Sequence, residues 1–82
     1  MSVRDKLVTC VMAALNIEDE AQLTDESILS DTFGADSLDS IEILMCIEQE
    51  FNVSIDESKI RSDMSFGQIV SLVEDVVQPV GV

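Results

Sequence analysis

The stretch from Asp36 to Phe51 reads as a single helix whose start signals lie in the sequence, and this helix constrains the rest of the architecture. Asp36 is a natural N-cap, and Asp39 stands where a carboxylate can reach back to the N–H of the cap. Asp36, Asp39 and Glu42 all favour the positive end of the helix dipole. At about 100° per residue, Ser40, Ile43, Leu44, Ile47 and Phe51 share one face, which is the core face. Asp39, Cys46 and Glu50 fall opposite and are expected in solvent. A third strip mixes Leu38, Ile41 and Met45 with Glu42, Glu48 and Gln49. A helix that only fills a core has little use for such a strip. Apolar side chains ringed by carboxylates make an interaction surface, unless the loop before the helix covers them.

The core face must be met by other helices. Leu7, Val8, Val11, Met12 and Leu15 recur at helical spacing, which predicts a helix over residues 3–15 with Ser2 as N-cap and Asn16 as exit. From Ile17 to Asp36 the chain is acidic and lacks a sustained period. Leu23, Ile28, Leu29 and Phe33 suggest that it packs across the domain, with a helical turn near Thr24–Leu29. A short third helix is expected after Asp56, flanked by Ile55 and Ile60 at the spacing of a hydrophobic staple, with Lys59 and Arg61 complementing its dipole. The last helix starts at Ser65, with Gln68 completing a capping box, and presents Phe66, Ile69, Val70, Val73, Val76 and Val77 on one face before Pro79 stops it. No strand alternation appears, and Asn52–Ile55 reads as a connection. The expected fold is all-α: a small four-helix bundle of three longer helices plus a short third one, with a long loop between the first two. Residues 1–82 make one domain, with 78–82 as a flexible tail.

Charge narrows the function. Seventeen Asp and Glu against four Lys and Arg give −13, and the block from Leu7 to Ser58 holds thirteen acids and no base. Such a field repels nucleic-acid phosphates and anionic membrane surfaces and attracts basic protein patches. The charged N-terminus does not resemble a signal peptide, and no run approaches a membrane span, so a cytosolic protein is expected. Cys10 and Cys46, without a CxxC, read as two thiols, small buried or half-buried residues in a reducing compartment.

The chain has no His, which removes Ser-His-Asp and Cys-His catalysis and the commonest metal ligand. A calcium loop begun at Asp31 places Glu42 correctly but puts Phe33 and Ala35 in ligand positions, and starts at Asp25, Asp36 and Asp56 fail similarly. Gly34 belongs to no phosphate-loop pattern. What remains is Ser37, directly after Gly34-Ala35-Asp36, at a turn that exposes its hydroxyl. A phosphodiester there would face free N–H groups and the helix dipole. On geometry alone, an ordinary helix-opening serine and a point of covalent attachment both stand.

The run Gly34-Ala35-Asp36-Ser37-Leu38-Asp39-Ser40-Ile41-Glu42, continuing to Met45 and Glu48-Gln49-Glu50-Phe51, resembles the signature of acyl carrier proteins of the discrete bacterial, fatty-acid type. The order and spacing of the expected helices are similar along nearly the whole chain. The resemblance implies that Ser37 receives 4′-phosphopantetheine from coenzyme A through a phosphopantetheinyl transferase, and that the thiol of the arm carries acyl groups as thioesters. It implies that Asp36, Leu38, Asp39, Glu42, Met45 and Glu48 engage basic patches on ketosynthase-type and other acyl-processing enzymes; Ile41 joins them from the mixed strip. The implied protein is a non-catalytic, monomeric carrier of fatty-acid or related lipid or polyketide biosynthesis. Gln49, where another Glu is usual, and Ile55-Asp56, without the common intervening Pro, leave room for a specialised pathway. A carrier-like module that is never loaded, and a peptidyl or aminoacyl carrier, are the alternatives.

Overall fold

The computed structural model describes residues 2–77; the expected tail at 78–82 and the stop at Pro79 lie outside them. Four α-helices follow in order: α1 (Val3–Leu15), α2 (Leu29–Phe33), α3 (Ser37–Phe51) and α4 (Phe66–Val77). Among the described residues there is no strand, only an isolated antiparallel bridge between Ile28 and Ser65. The three long helices begin where their capping residues place them. Ser2 Oγ accepts from the Asp5 N–H at 3.1 Å. Ser65 and Gln68 cap α4 reciprocally, each side chain accepting from the backbone N–H of the other. Asn16 and Asn52 end α1 and α3 in the left-handed conformation, φ 60° and 54°, which Asn tolerates better than most residues.

The helices meet around one core. Leu7 and Val11 of α1, Leu29 of α2, Ile43 and Ile47 of α3, and Phe66, Ile69 and Val73 of α4 are fully buried. The expected core face of α3 is the one that packs, with Ser40 and Leu44 buried beside Ile43 and Ile47. α1 crosses against both α3 and α4.

The short elements fall elsewhere than expected. The segment after α1 forms a 3-10 turn at Glu20–Gln22, capped by Asp19, and its α-helical piece is α2, downstream of the predicted Thr24–Leu29 turn. α2 has no side-chain cap at its start. Tertiary backbone bonds hold it instead: Leu29 N–H donates to Met64 O and Ser30 N–H to Ser62 O. The predicted third helix is a single 3-10 turn, Glu57–Lys59, capped by Asp56 and flanked by buried Ile55 and Ile60. Arg61 lies beyond that turn rather than at a helix end, and it pairs with Asp63.

The cysteines are a correction. Cys10 of α1 and Cys46 of α3 are joined by a disulfide, with Cα atoms 5.8 Å apart, inside the range a bridge requires. The helical wheel assigned Cys46 to solvent because Asp39 and Glu50 share its side. α1 covers that flank, leaving Cys46 half-buried and Cys10 buried. The oxidised pair also removes one support for a reducing compartment.

The acidic block gains little internal compensation. Among the described residues the ion pairs are Arg4–Asp25 and Arg61–Asp63, and only Asp25 belongs to the block. Screening is therefore expected to stabilise the fold. The melting temperature should rise as NaCl is raised to about 0.5 M, and again with millimolar Mg2+, in scanning calorimetry. A flat response would show that repulsion does not limit stability.

Candidate functional site

The turn into α3 is built from the end of α2. Gly34 takes φ +68°, a left-handed conformation that costs glycine little and most other residues strain. Its N–H and that of Ala35 return to Ser30 O and Leu29 O, which closes α2, and the Ala35 side chain is buried as an anchor. Asp36 follows as N-cap. Its Oδ1 accepts from the N–H groups of Leu38 (3.0 Å) and Asp39 (3.1 Å), and Asp39 Oδ2 accepts from the Asp36 N–H. Ser40 N–H donates to Asp36 O, and Ser40 Oγ donates to Ser37 O at 2.8 Å.

Ser37 is thereby fixed at the first helical position and exposed, and its hydroxyl bonds to no described residue. The free N–H groups expected around it are largely absent. Those of Leu38, Asp39 and Ser40 are occupied by Asp36, so little of the helix terminus is left to receive an anion.

A cleft of about 380 Å³ opens beside Ser37. One wall is α3, through Ser37, Ser40 and Ile41; the other is the connection to α4, through Glu57, Ser58 and the run from Ile60 to Asp63. Arg61 reaches Asp63 with two bonds, Nε–H to Oδ1 at 3.0 Å and Nη2–H to Oδ2 at 2.5 Å. This pairing lowers the Asp63 pKa and raises that of Arg61, in both cases chiefly through the hydrogen bonds between them. Sequence reasoning missed this wall. The staple residue Ile60 carried a signal, but nothing local tied Arg61 or Ser62 to Ser37.

The predicted partner residues divide. Leu38, Ile41 and Met45 are 68%, 40% and 54% exposed, one ridge along α3 with Glu42 exposed among them. The loop does not cover them. Asp36 and Asp39 lie at one end of the ridge with carboxylate oxygens committed to the capping box. Glu48 is half-buried, and its Oε2 accepts from the Ile55 N–H at 2.9 Å, so it also fastens the chain after α3. Among the described residues no cluster of three metal-ligating side chains forms, and no helix is long and apolar enough to cross a membrane.

The helical frame thus presents a serine at a helix start, beside a cleft and an acidic-apolar ridge. Comparison with known proteins gives it a family. The family described as "Phosphopantetheine attachment site" matches residues 5–76. An acyl carrier protein of Thermotoga maritima is 35% identical over 77 residues, covering 90% of this chain and 95% of its own. One of Helicobacter pylori is 32% identical over 75 residues, covering 92% and 95%. Acyl carrier protein 4, chloroplastic, of Arabidopsis thaliana is 38% identical over 73 residues, covering 89% of this chain and 53% of its own. The chain therefore belongs to the phosphopantetheine-attachment family and, within it, to the acyl carrier proteins. The residues present fit such an arm: an unbonded hydroxyl stands at a cleft whose lining includes Ser58, Arg61 and Ser62, residue types suited to a chain of amides rooted in a phosphodiester.

Proposed function

We propose that this protein carries acyl intermediates on a 4′-phosphopantetheine arm attached to the Ser37 hydroxyl. The observation that carries the reading is that hydroxyl: exposed, unbonded, fixed at the start of α3 and opening on the cleft, in a chain whose family is described by that attachment. The bound arm supplies a thiol that holds acyl groups as thioesters. The protein supplies position, because a tethered thioester reaches each partner's active site at high effective concentration.

The chain is a substrate of a phosphopantetheinyl transferase rather than a catalyst. With no His, the candidate general bases near Ser37 are carboxylates, and none bonds to its hydroxyl. Leu38, Ile41 and Met45 supply apolar anchors for partner enzymes, and Asp36, Asp39, Glu42 and Glu48 steer basic patches onto them. Monomeric action in the cytoplasm, among the enzymes of fatty-acid or related lipid or polyketide biosynthesis, completes the reading; bacterial relatives named as acyl carrier proteins support it.

Incubation with coenzyme A and a phosphopantetheinyl transferase should add the mass of one arm to the intact protein, and Ser37→Ala should abolish the addition completely. Wild-type protein that stays unmodified across several transferases would overturn the assignment and leave an unloaded interaction module in its place.

A further inference from the structure

An anion rooted on Ser37 enters a hostile field. Asp36 and Asp39 flank it, Glu57 and Asp63 line the same cleft, and the block around it contains no base. The usual remedy, a ring of free amides at the helix start, has been used by Asp36: the N–H groups of Leu38 and Asp39 go to its carboxylate and that of Ser40 to its carbonyl. The compensating charge must then come from across the cleft, where Arg61 is the cation of the lining.

Arg61 is prepared for such a contact. A guanidinium has five N–H donors, and Asp63 engages Nε and one hydrogen of Nη2. The Nη1 edge stays free, and the bidentate pairing restricts how the planar group can turn. The guanidinium is charged at any ordinary pH. Lys59, the other base of this connection, does not line the cleft.

We propose that Arg61, oriented by Asp63, binds the phosphodiester carried on Ser37 and seats the root of the arm in the cleft. The inference rests on Ser37 being the attachment point. Arg61 acts here as a positioning residue: its free Nη1 edge donates to the root and directs the arm along the wall formed by Ser58 and Ser62.

The test loads wild type, Arg61→Gln and Arg61→Lys with coenzyme A and a transferase, confirms the added mass, and records the phosphorus NMR signal and the Arg61 Nε–H signal. In wild type, loading should shift the Nε–H signal, and the phosphorus resonance should lie apart from that of free phosphopantetheine and move toward it as NaCl is raised. Arg61→Gln should load but give a phosphorus resonance at the free position with no salt response, and Arg61→Lys should fall between. Arg61 is exposed, so both variants should keep the wild-type circular dichroism. Loaded wild type and loaded Arg61→Gln with the same phosphorus signal, and an Nε–H signal indifferent to loading, would overturn the role of Arg61 alone. Absence of loading in wild type would remove the Ser37 assignment and this inference with it.

Discussion

Reduction of the Cys10–Cys46 disulfide is expected to lower stability by about 4 kcal/mol, the chain-entropy value for the loop that the bridge closes, given its sequence separation of 36. A core of this size supplies only about 3–5 kcal/mol in net stability, so the bridge rivals the rest of the fold. In a domain of this length the loss should appear as a fall of about 15 °C or more in the melting temperature. Scanning calorimetry with and without a phosphine reductant, beside the Cys10→Ser, Cys46→Ser double variant, measures it. The reduced protein and the double variant should melt together. A midpoint unmoved by reductant would mean that the bridge does not restrain the unfolded chain and that the fold stands without it.

Phe66→Ala should cost about 3–5 kcal/mol, the range for emptying a buried aromatic site, and leave the isolated domain partly unfolded at 25 °C. Phe66 is fully buried and among the largest side chains in a core nearly devoid of aromatics. Its ring lies 5.3 Å from the Arg4 guanidinium carbon, and its N–H donates to Ser27 O. One residue therefore connects α4, the start of α1 and the segment before α2. Phe66→Leu, which keeps most of the apolar volume, should recover the larger share of the loss in urea unfolding. Equal losses for Ala and Leu would assign the effect to the aromatic contact with Arg4 instead of the filled volume.

The features legible in the sequence were those decided within a few residues. Ser2, Asp36 and Ser65 announce helix starts because a side-chain oxygen and the N–H it accepts from lie three positions apart. The wheel of α3 located its core face and the exposed ridge of Leu38, Ile41 and Met45 by the same local logic. α2 escaped because Ile28 offers no side-chain cap; its order comes from Ser62 and Met64, remote in sequence. Cys10–Cys46 escaped because a wheel shows the angles of one helix and not which neighbour covers each flank. Ser37 was legible as a helix-opening position, and its resemblance to a signature supplied the chemistry proposed for it. The wall facing it was not, since Arg61 reads as a helix-end charge until the turn after Asp56 is seen to stop at Lys59.

The backbone bonds that order α2 have a mechanical consequence. Ser30 N–H to Ser62 O and Leu29 N–H to Met64 O lash the far rim of the cleft to the element that leads, through Gly34, into Ser37. Both rims therefore share one hinge post at α2. At the opposite end the rim hangs from α3 by the Glu48 carboxylate on the Ile55 N–H. The cleft is a clasp with a stiff hinge at α2, held at its other end by the Glu48 bond together with the buried Ile55 and Ile60, so its width is set by the fold before any cargo arrives.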